Sequence, residues 1–401
     1  MQAPRGGWVA ATLASVFVLA LLCGLTPGAL DTATIDLRHR WVALTAGHAT
    51  TGEDSAARAP AIGMNVFLEQ EVEPERRVRS LELLHAAGVT WIRQELPWEQ
   101  IEPVAKGQTT DPNFGGSTWT KFDDIVDGAS TLGMHVLLRL DTSPRWALAP
   151  GALDGLAPPI RSADYFDFVE QVATRYRGKV VAYQVWNEPN LNSEWGRQAP
   201  DAAAYAELLR GASARIRAAD PGALVVMAAM APTLTQNTDA ENELIYLQQL
   251  YDAGVQGSFD VLALQAYGLR GGPDDPRTGA DDVTFSRPTL VRQVMERNGD
   301  AATPVWATEM GWNVNPPSFA IQQFGRVTPA LQARYTLRAF DRIADQWPWL
   351  KVGFVWFWKR TDTAERDQDW YWFRVADPDF TLQPVYYGLK DAAETGWPSR
   401  R

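Results

Sequence analysis

Short apolar runs alternate with amphipathic stretches along most of the chain. Val180–Trp186 is a continuous run of apolar and β-branched residues, as expected for a strand buried on both faces of a parallel sheet. Before it, Ser162 is a predicted helix cap. Apolar residues then recur at the i, i+4, i+7 and i+11 positions of one helical face. They are Tyr165, Val169, Val172 and Tyr176.

The same alternation predicts eight strands. They are Ala61–Val66, Thr90–Glu95, His135–Leu140, Val180–Trp186, Ala223–Met227, Val261–Tyr267, Val305–Glu309 and Val352–Trp358. Helices are predicted between and after them, at Pro74–Ala87, Lys121–Leu132, from Ser162 to about Tyr176, and near Ala202–Ala218, Glu241–Ala253, Pro288–Arg297, Pro329–Asp345 and Tyr386–Glu394. Eight strands alternating with eight helices predict an α/β fold, a (β/α)8 TIM barrel over residues 61–396.

The chain before the barrel has a different pattern. Trp8–Leu25 is uncharged and mostly apolar, which predicts that residues 1–30 are a signal peptide or a membrane anchor. The run exceeds the usual signal core and lacks a convincing cleavage site, so an uncleaved anchor is slightly favoured over a cleaved signal, and a buried core helix is disfavoured. Residues 31–60 are predicted to be a linker. We therefore expect the barrel to be extracytoplasmic, secreted or held at the outer face of the cell membrane.

Composition restricts the chemistry that the barrel can perform. The net charge of −11 disfavours nucleic acid and anionic membrane surfaces as partners. The single Cys23 permits no intrachain disulfide. The four His residues show no zinc-type spacing, and none lies at the carboxyl end of a predicted strand. We predict no metal and no cofactor, a monomer, and carboxylates as the reactive groups.

Two glutamates lie where predicted strands end. Glu188 follows the fourth strand in Trp-Asn-Glu-Pro-Asn, and Glu309 closes the seventh strand in Thr-Glu-Met-Gly-Trp. Ligands bind at the carboxyl end of parallel barrel strands. Desolvation of an ionisable group at the end of a buried strand is unfavourable, which favours a functional role for it. Two such carboxylates suit glycoside hydrolysis, in which one protonates the leaving oxygen and the other attacks the sugar. A structural carboxylate that caps a helix or pairs with an Arg is the alternative for each.

These motifs resemble those of the clan A retaining glycoside hydrolases, with glycoside hydrolase family 39 nearest and family 5 next. The resemblance implies that Glu188 is the acid/base and Glu309 the nucleophile. It also implies that Arg93 keeps the nucleophile ionised, that Asn187 binds the substrate 2-hydroxyl, and that Tyr267 hydrogen-bonds the nucleophile. The alternatives are a salt bridge at the barrel mouth for Arg93 and a turn-forming role for Asn187. The His that often precedes this Tyr by two residues is Gln265 here.

The 17 Trp residues suggest platforms on which sugar rings can stack. Trp358 is the expected floor of the sugar site, as the resemblance implies, while Trp98 and Trp312 fall on strand-to-helix loops. Core packing is the alternative for each. The sequence thus predicts a retaining β-glycosidase that cleaves a polysaccharide or oligosaccharide, with endo action preferred. An exo-acting β-xylosidase-like enzyme, a transglycosylase and a catalytically silent carbohydrate-binding barrel remain alternatives.

Overall fold

The structure, a computed structural model, describes residues 59–152, 155–319 and 322–397. The predicted signal or anchor segment and nearly all of the predicted linker lie outside these residues. No helix of the described part is long and apolar enough to cross a membrane.

Eight parallel strands form one sheet in the order β5-β4-β3-β2-β1-β8-β7-β6. They are β1 (Ala61–Val66), β2 (Trp91–Pro97), β3 (His135–Asp141), β4 (Ala182–Val185), β5 (Leu224–Met227), β6 (Leu262–Tyr267), β7 (Val305–Gly311) and β8 (Leu350–Val355). The edge strands β5 and β6 are joined at two isolated parallel bridges, Val226–Val261 and Met230–Leu264. The sheet is therefore a nearly closed (β/α)8 barrel, as the alternation predicts.

The helices surround the sheet and bury their apolar faces on it. They are α1 (Pro74–Ala86), α2 (Trp98–Ile101), α3 (Thr120–Thr131), α4 (Ser162–Arg175), α5 (Ala202–Ala219), α6 (Glu243–Asp252), α7 (Pro288–Arg297), α8 (Pro329–Gln346) and α9 (Pro384–Glu394). Gly88 and Gly133 follow α1 and α3 with φ angles of +75° and +69°, left-handed values that suit glycine at a helix end.

The amino-terminal half of the barrel interior is filled by large rings. Trp91 and Trp306 meet edge to face with 4.8 Å between ring centroids, and Phe354 lies 6.3 Å from Trp306. Gly63 leaves room for this packing, because a Cβ there would lie 2.4 Å from the Phe354 ring. The interior is therefore a packed core, and polar side chains can gather only at its carboxyl end.

The last strand differs from its prediction. β8 ends at Val355, and a cis peptide bond joins Trp356 to Phe357. The predicted strand continued to Trp358, which would put Trp356 and Trp358 on one face by strict alternation. Because the chain leaves the sheet before Trp356, that alternation no longer applies, and the two rings take different positions.

Candidate active site

Glu309 lies near the end of β7 with both carboxylate oxygens hydrogen-bonded. Its side chain is almost fully buried, and the residue is 3% exposed. Arg93 Nη1 donates to Oε1 at 2.9 Å, and the Tyr267 hydroxyl donates to Oε2 at 2.7 Å. Burial and the charge of Glu309 hold the pKa of Tyr267 well above its usual value, so this hydroxyl keeps its proton. The surroundings of Glu309 therefore stabilise a fixed carboxylate.

Arg93 connects the ends of several strands. From β2 its Nη1 also donates to Asn65 Oδ1 at 2.7 Å, its Nη2 to Asn187 Oδ1 at 2.8 Å, and its Nε to Gln184 Oε1 at 2.8 Å. The residue is 2% exposed, and a buried guanidinium needs such partners to offset the loss of water. Arg93 thus fixes Glu309 and Asn187 relative to each other.

Glu188 follows β4 on a backbone that is unusual for its residue types. Trp186 and Glu188 have φ angles of +68° and +42°, left-handed values that are strained for residues other than glycine. The backbone N–H of Glu188 donates to the Ala229 carbonyl at 2.9 Å. This turn lifts the Glu188 side chain out of the strand to a partly exposed position beside Gln265, whose Nε2 donates to Glu188 Oε1.

The two glutamates affect each other electrostatically. Burial, and after it the negative charge of Glu309, raise the pKa of Glu188 to about 7. The hydrogen bond from Gln265 and the charges of Arg139 and Arg93 oppose this increase. One carboxyl group that holds its proton near neutral pH therefore lies close to one that is fixed by two donors.

An aromatic wall adjoins Glu309. Trp356, Tyr267 and Phe324 are partly exposed and pack on the buried rings of Phe67, Phe357 and Phe373. A backbone hydrogen bond from Trp356 N to the Met310 carbonyl, at 2.9 Å, fixes Trp356 beside β7. Partly exposed rings next to a carboxylate pair can stack against the apolar face of a sugar.

The arrangement of the strands and of this site agrees with a comparison against family models. The model of the cellulase family, glycosyl hydrolase family 5, matches residues 55–256, half of the chain. The chain belongs to this family. Family 5 is part of clan A of the retaining glycoside hydrolases. No curated protein matches the chain significantly.

Solved structures of other clan A glycosidases share the fold of this family 5 chain. A family 39 glycoside hydrolase from Bacteroides cellulosilyticus has a TM-score of 0.62 at 20% identity, covering 86% of this chain and 65% of its own. A monomeric beta-xylosidase from Caulobacter crescentus has a TM-score of 0.57 at 17% identity, and the match covers 84% of this chain and 69% of the xylosidase. Xylanase 10B from Thermotoga petrophila has a TM-score of 0.53 at 16% identity, and the match covers 86% of this chain and 99% of the xylanase. The chain thus spans 65% of the length of the family 39 enzyme.

Three of the predicted sugar platforms are corrected by the structure. Trp358, Trp98 and Trp312 are each 0% exposed. Trp358 packs on Tyr386, and Trp98 stacks on Phe168. The indole N–H groups of Trp98 and Trp312 donate to Glu102 Oε2 at 2.8 Å and to the Gly271 carbonyl at 2.7 Å. None of the three presents a face to a ligand, so they are core residues of this family 5 barrel.

The rings that do reach the site were only partly predictable. Trp356 shares one face of the predicted last strand with Trp358, and burial distinguishes the two because only Trp356 keeps an exposed surface. Phe324, which is partly exposed, and Phe67, which is buried behind Trp356, lie on the loops after β7 and β1. The sequence there has no motif that distinguishes them from other loop aromatics. Phe67 meets the Trp356 ring, with 5.6 Å between centroids, only because β1 pairs with β8.

A second charged cluster at the barrel mouth was missed. Arg139 on β3 pairs with Glu95 at 2.8 Å and with Asp141 at 2.7 Å. Burial raises the pKa of Asp141 to about 7, and burial together with the charge of Glu188 raises that of Glu194 to about 8. A signal existed, since Glu95, Arg139 and Asp141 are charged residues near the ends of predicted apolar strands. The described residues contain no group of three or more His, Cys, Asp or Glu side chains arranged to hold a metal ion.

Proposed function

We propose that this family 5 protein is a retaining β-glycosidase in which Glu309 is the nucleophile and Glu188 the acid/base. The single observation that carries the assignment is the contrast between the two carboxyl groups. Glu309 receives hydrogen bonds from Arg93 and Tyr267 on both oxygens, whereas the pKa of Glu188 is raised to about 7. Retaining hydrolysis needs one anionic nucleophile beside one protonated acid.

The reaction proceeds in two displacements. Glu309 attacks the anomeric carbon while Glu188 gives its proton to the leaving oxygen, so the glycosidic bond breaks as the glycosyl ester forms. The ester no longer carries the negative charge of Glu309, so the pKa of Glu188 falls. Glu188 can then take a proton from water as that water attacks the anomeric carbon. The bond to Glu309 breaks, which restores its carboxylate and releases the sugar with its original configuration. Asn187, held by Arg93, is the proposed partner of the substrate 2-hydroxyl.

We further propose endo action on a polysaccharide outside the cytoplasm. Long loops after β2, β3 and β6 surround the barrel mouth, and one structural neighbour is a xylanase. An apolar segment ahead of a polar linker suits a protein that is exported or anchored. An exo-acting β-xylosidase-like activity is the second candidate, favoured by the likeness to a beta-xylosidase.

The test is reducing-end release from a panel of β-linked polysaccharides by soluble protein that begins near residue 50. Wild type and Glu309→Gln are assayed in parallel, with thermal unfolding as the check on folding. New reducing ends from the wild type alone would support the proposal. Retention on a polysaccharide without any release, equal in both proteins, would instead support a catalytically silent carbohydrate-binding barrel.

A further inference from the structure

A pocket of about 290 Å³ lies in the long loop that connects β8 to α9. Polar side chains of this loop line most of it, and they take no part in the reaction proposed above. They are Thr363, Arg366, Tyr371, Arg374, Asp377 and Asp379. The volume is just below the range for ligand sites, which begins at about 300 Å³, and suits one small cyclic unit.

Arg374 brings an unsatisfied donor to this pocket. The residue is 8% exposed, and its Nε donates to Asp377 Oδ1 at 2.5 Å. Its guanidinium packs on the rings of Tyr371 and Trp372, at 5.2 and 4.6 Å from their centroids. Nη1 is buried and has no hydrogen-bond partner within the described residues. Leaving such a donor unpaired is unfavourable, so an acceptor that reached it from the pocket would stabilise the site.

A second guanidinium is also available. Arg366 is exposed, lies 5.4 Å from the Trp372 ring centroid, and forms no ion pair with a described carboxylate. The two acidic residues of the pocket already have donors. Asp377 Oδ2 accepts from Gln383 Nε2 at 2.7 Å, and Asp379 Oδ1 accepts from the Thr381 N–H at 2.8 Å. Their remaining lone pairs can still accept from a ligand.

The charges in the pocket balance, with two cations and two anions. A net ionic ligand would gain from one pair and be repelled by the other. A hydroxyl group, in contrast, both donates and accepts. Neighbouring hydroxyls of a sugar ring can accept from the guanidinium groups of Arg374 and Arg366 and donate to Asp377 and Asp379.

We infer that this pocket is a secondary binding site for one neutral sugar unit of a polysaccharide, separate from the catalytic pair. The choice of a sugar as the ligand rests on the proposed function, but binding is measured without catalysis. The site would hold the polymer while the barrel mouth releases and re-engages it. Such a second contact increases the effective concentration of polymer near the catalytic groups.

The experiment is affinity electrophoresis in gels that contain hydroxyethyl cellulose, xylan, mannan or polygalacturonate. All proteins carry Glu309→Gln so that no polymer is cut. Arg366→Ala is the test variant, because its exposed side chain has no ion pair to lose. Arg297→Ala is the matched control, since Arg297 is an exposed arginine at the end of α7 and its loss changes the net charge equally.

The expected result is that a neutral polymer retards the parent protein and Arg297→Ala equally. The retardation of Arg366→Ala should be at least threefold smaller. With Glu309 intact, Arg366→Ala should turn over a small aryl glycoside at the wild-type rate. Equal retardation of all three proteins, no retardation by any neutral polymer, or an Arg366-dependent effect with polygalacturonate alone would overturn the inference. An Arg366-dependent effect in a protein without glycosidase activity would support this site and contradict the proposed function.

Discussion

The ends of β4 and β7 hold chemically identical side chains in opposite surroundings. Glu309 at β7 is buried and accepts from Arg93 and Tyr267, so its charge is stabilised by fixed donors. Glu188 after β4 has one neutral donor, Gln265, and lies near the negative charge of Glu309, with a pKa raised to about 7. The difference shows how a barrel sets two roles for one residue type by what each strand end places beside it.

The largest expected effect is that of removing the charge of the fixed carboxylate. Glu309→Gln should lower kcat on the order of 10⁴-fold or more, because losing a nucleophile removes the covalent route. The measurement is kcat on the polysaccharide that the wild type cleaves. Glu102→Gln, which changes a buried carboxylate beside Trp98, is the control and should keep most of the activity. Substantial activity in Glu309→Gln would show that Glu309 is not the nucleophile.

A change at the other strand end should have a smaller effect that depends on the leaving group. Glu188→Gln should lower kcat about 10²–10⁴-fold on a natural glycoside, because general acid–base catalysis contributes about that much. The first displacement needs no proton donor when the leaving group is an activated phenol. Pre-steady-state kinetics with a dinitrophenyl glycoside should therefore show a retained burst in Glu188→Gln. A burst that is lost in this variant would contradict the division of roles.

Removing one of the two donors on Glu309 should cost less again. Tyr267→Phe should reduce kcat/KM about 10- to 100-fold, because a hydrogen bond to a charged group is worth about 1.5–3 kcal/mol. Tyr246→Phe is the matched control, since the hydroxyl of this buried tyrosine on α6 has no hydrogen-bond partner among the described residues. Equal losses in the two variants would show that the Tyr267 hydroxyl does not act through Glu309.

The smallest effect concerns the neutral donor on Glu188 and is a shift in pH dependence. Glu188 must be protonated for the first displacement, so kcat/KM should fall as pH rises through about 7. The Gln265 amide stabilises the anionic form and lowers that pKa, so Gln265→Leu should move the alkaline limb to higher pH. The maximum rate should change less than about tenfold, since a net hydrogen bond is worth about 1 kcal/mol.

The control for this shift is Gln332→Leu. Gln332 is a buried glutamine that donates to the Trp312 and Phe373 carbonyls and has no contact with Glu188. Its variant should keep the wild-type pH profile even if it is less stable. An unchanged alkaline limb in Gln265→Leu, or an equal shift in both variants, would show that Gln265 does not set the pKa of Glu188.

The barrel could be predicted from the sequence because its pattern is local. Apolar runs of strand length alternate with helical periodicity, and glycines such as Gly88 and Gly133 end two helices at the predicted places. Strand ends were less predictable. β8 leaves the sheet at Val355, three residues before its predicted end, since nothing in Val-Trp-Phe-Trp marks where pairing with β1 and β7 stops.

The candidate site likewise contains residues that the strand pattern predicts and residues that only tertiary packing places. The strand alternation predicts that Glu188, Glu309 and Arg93 share one end of the barrel, because parallel strands all end there. The position of an aromatic ring depends instead on which side of a loop it faces. That choice is made by tertiary packing, which buries Trp358 against Tyr386 and leaves Trp356 partly exposed beside Glu309. Gln265 as a partner of Glu188 likewise depends on contact between non-adjacent strands β4 and β6.

The most direct test of the division between the two strand ends is covalent trapping of the glycosyl-enzyme. The wild type is incubated with a series of 2-deoxy-2-fluoro glycosides that carry an activated leaving group, and the labelled peptide is sequenced by mass spectrometry. We predict time-dependent inactivation with one label, on Glu309. A label on Glu188, or no label from any sugar of a polymer that the enzyme cleaves, would contradict it.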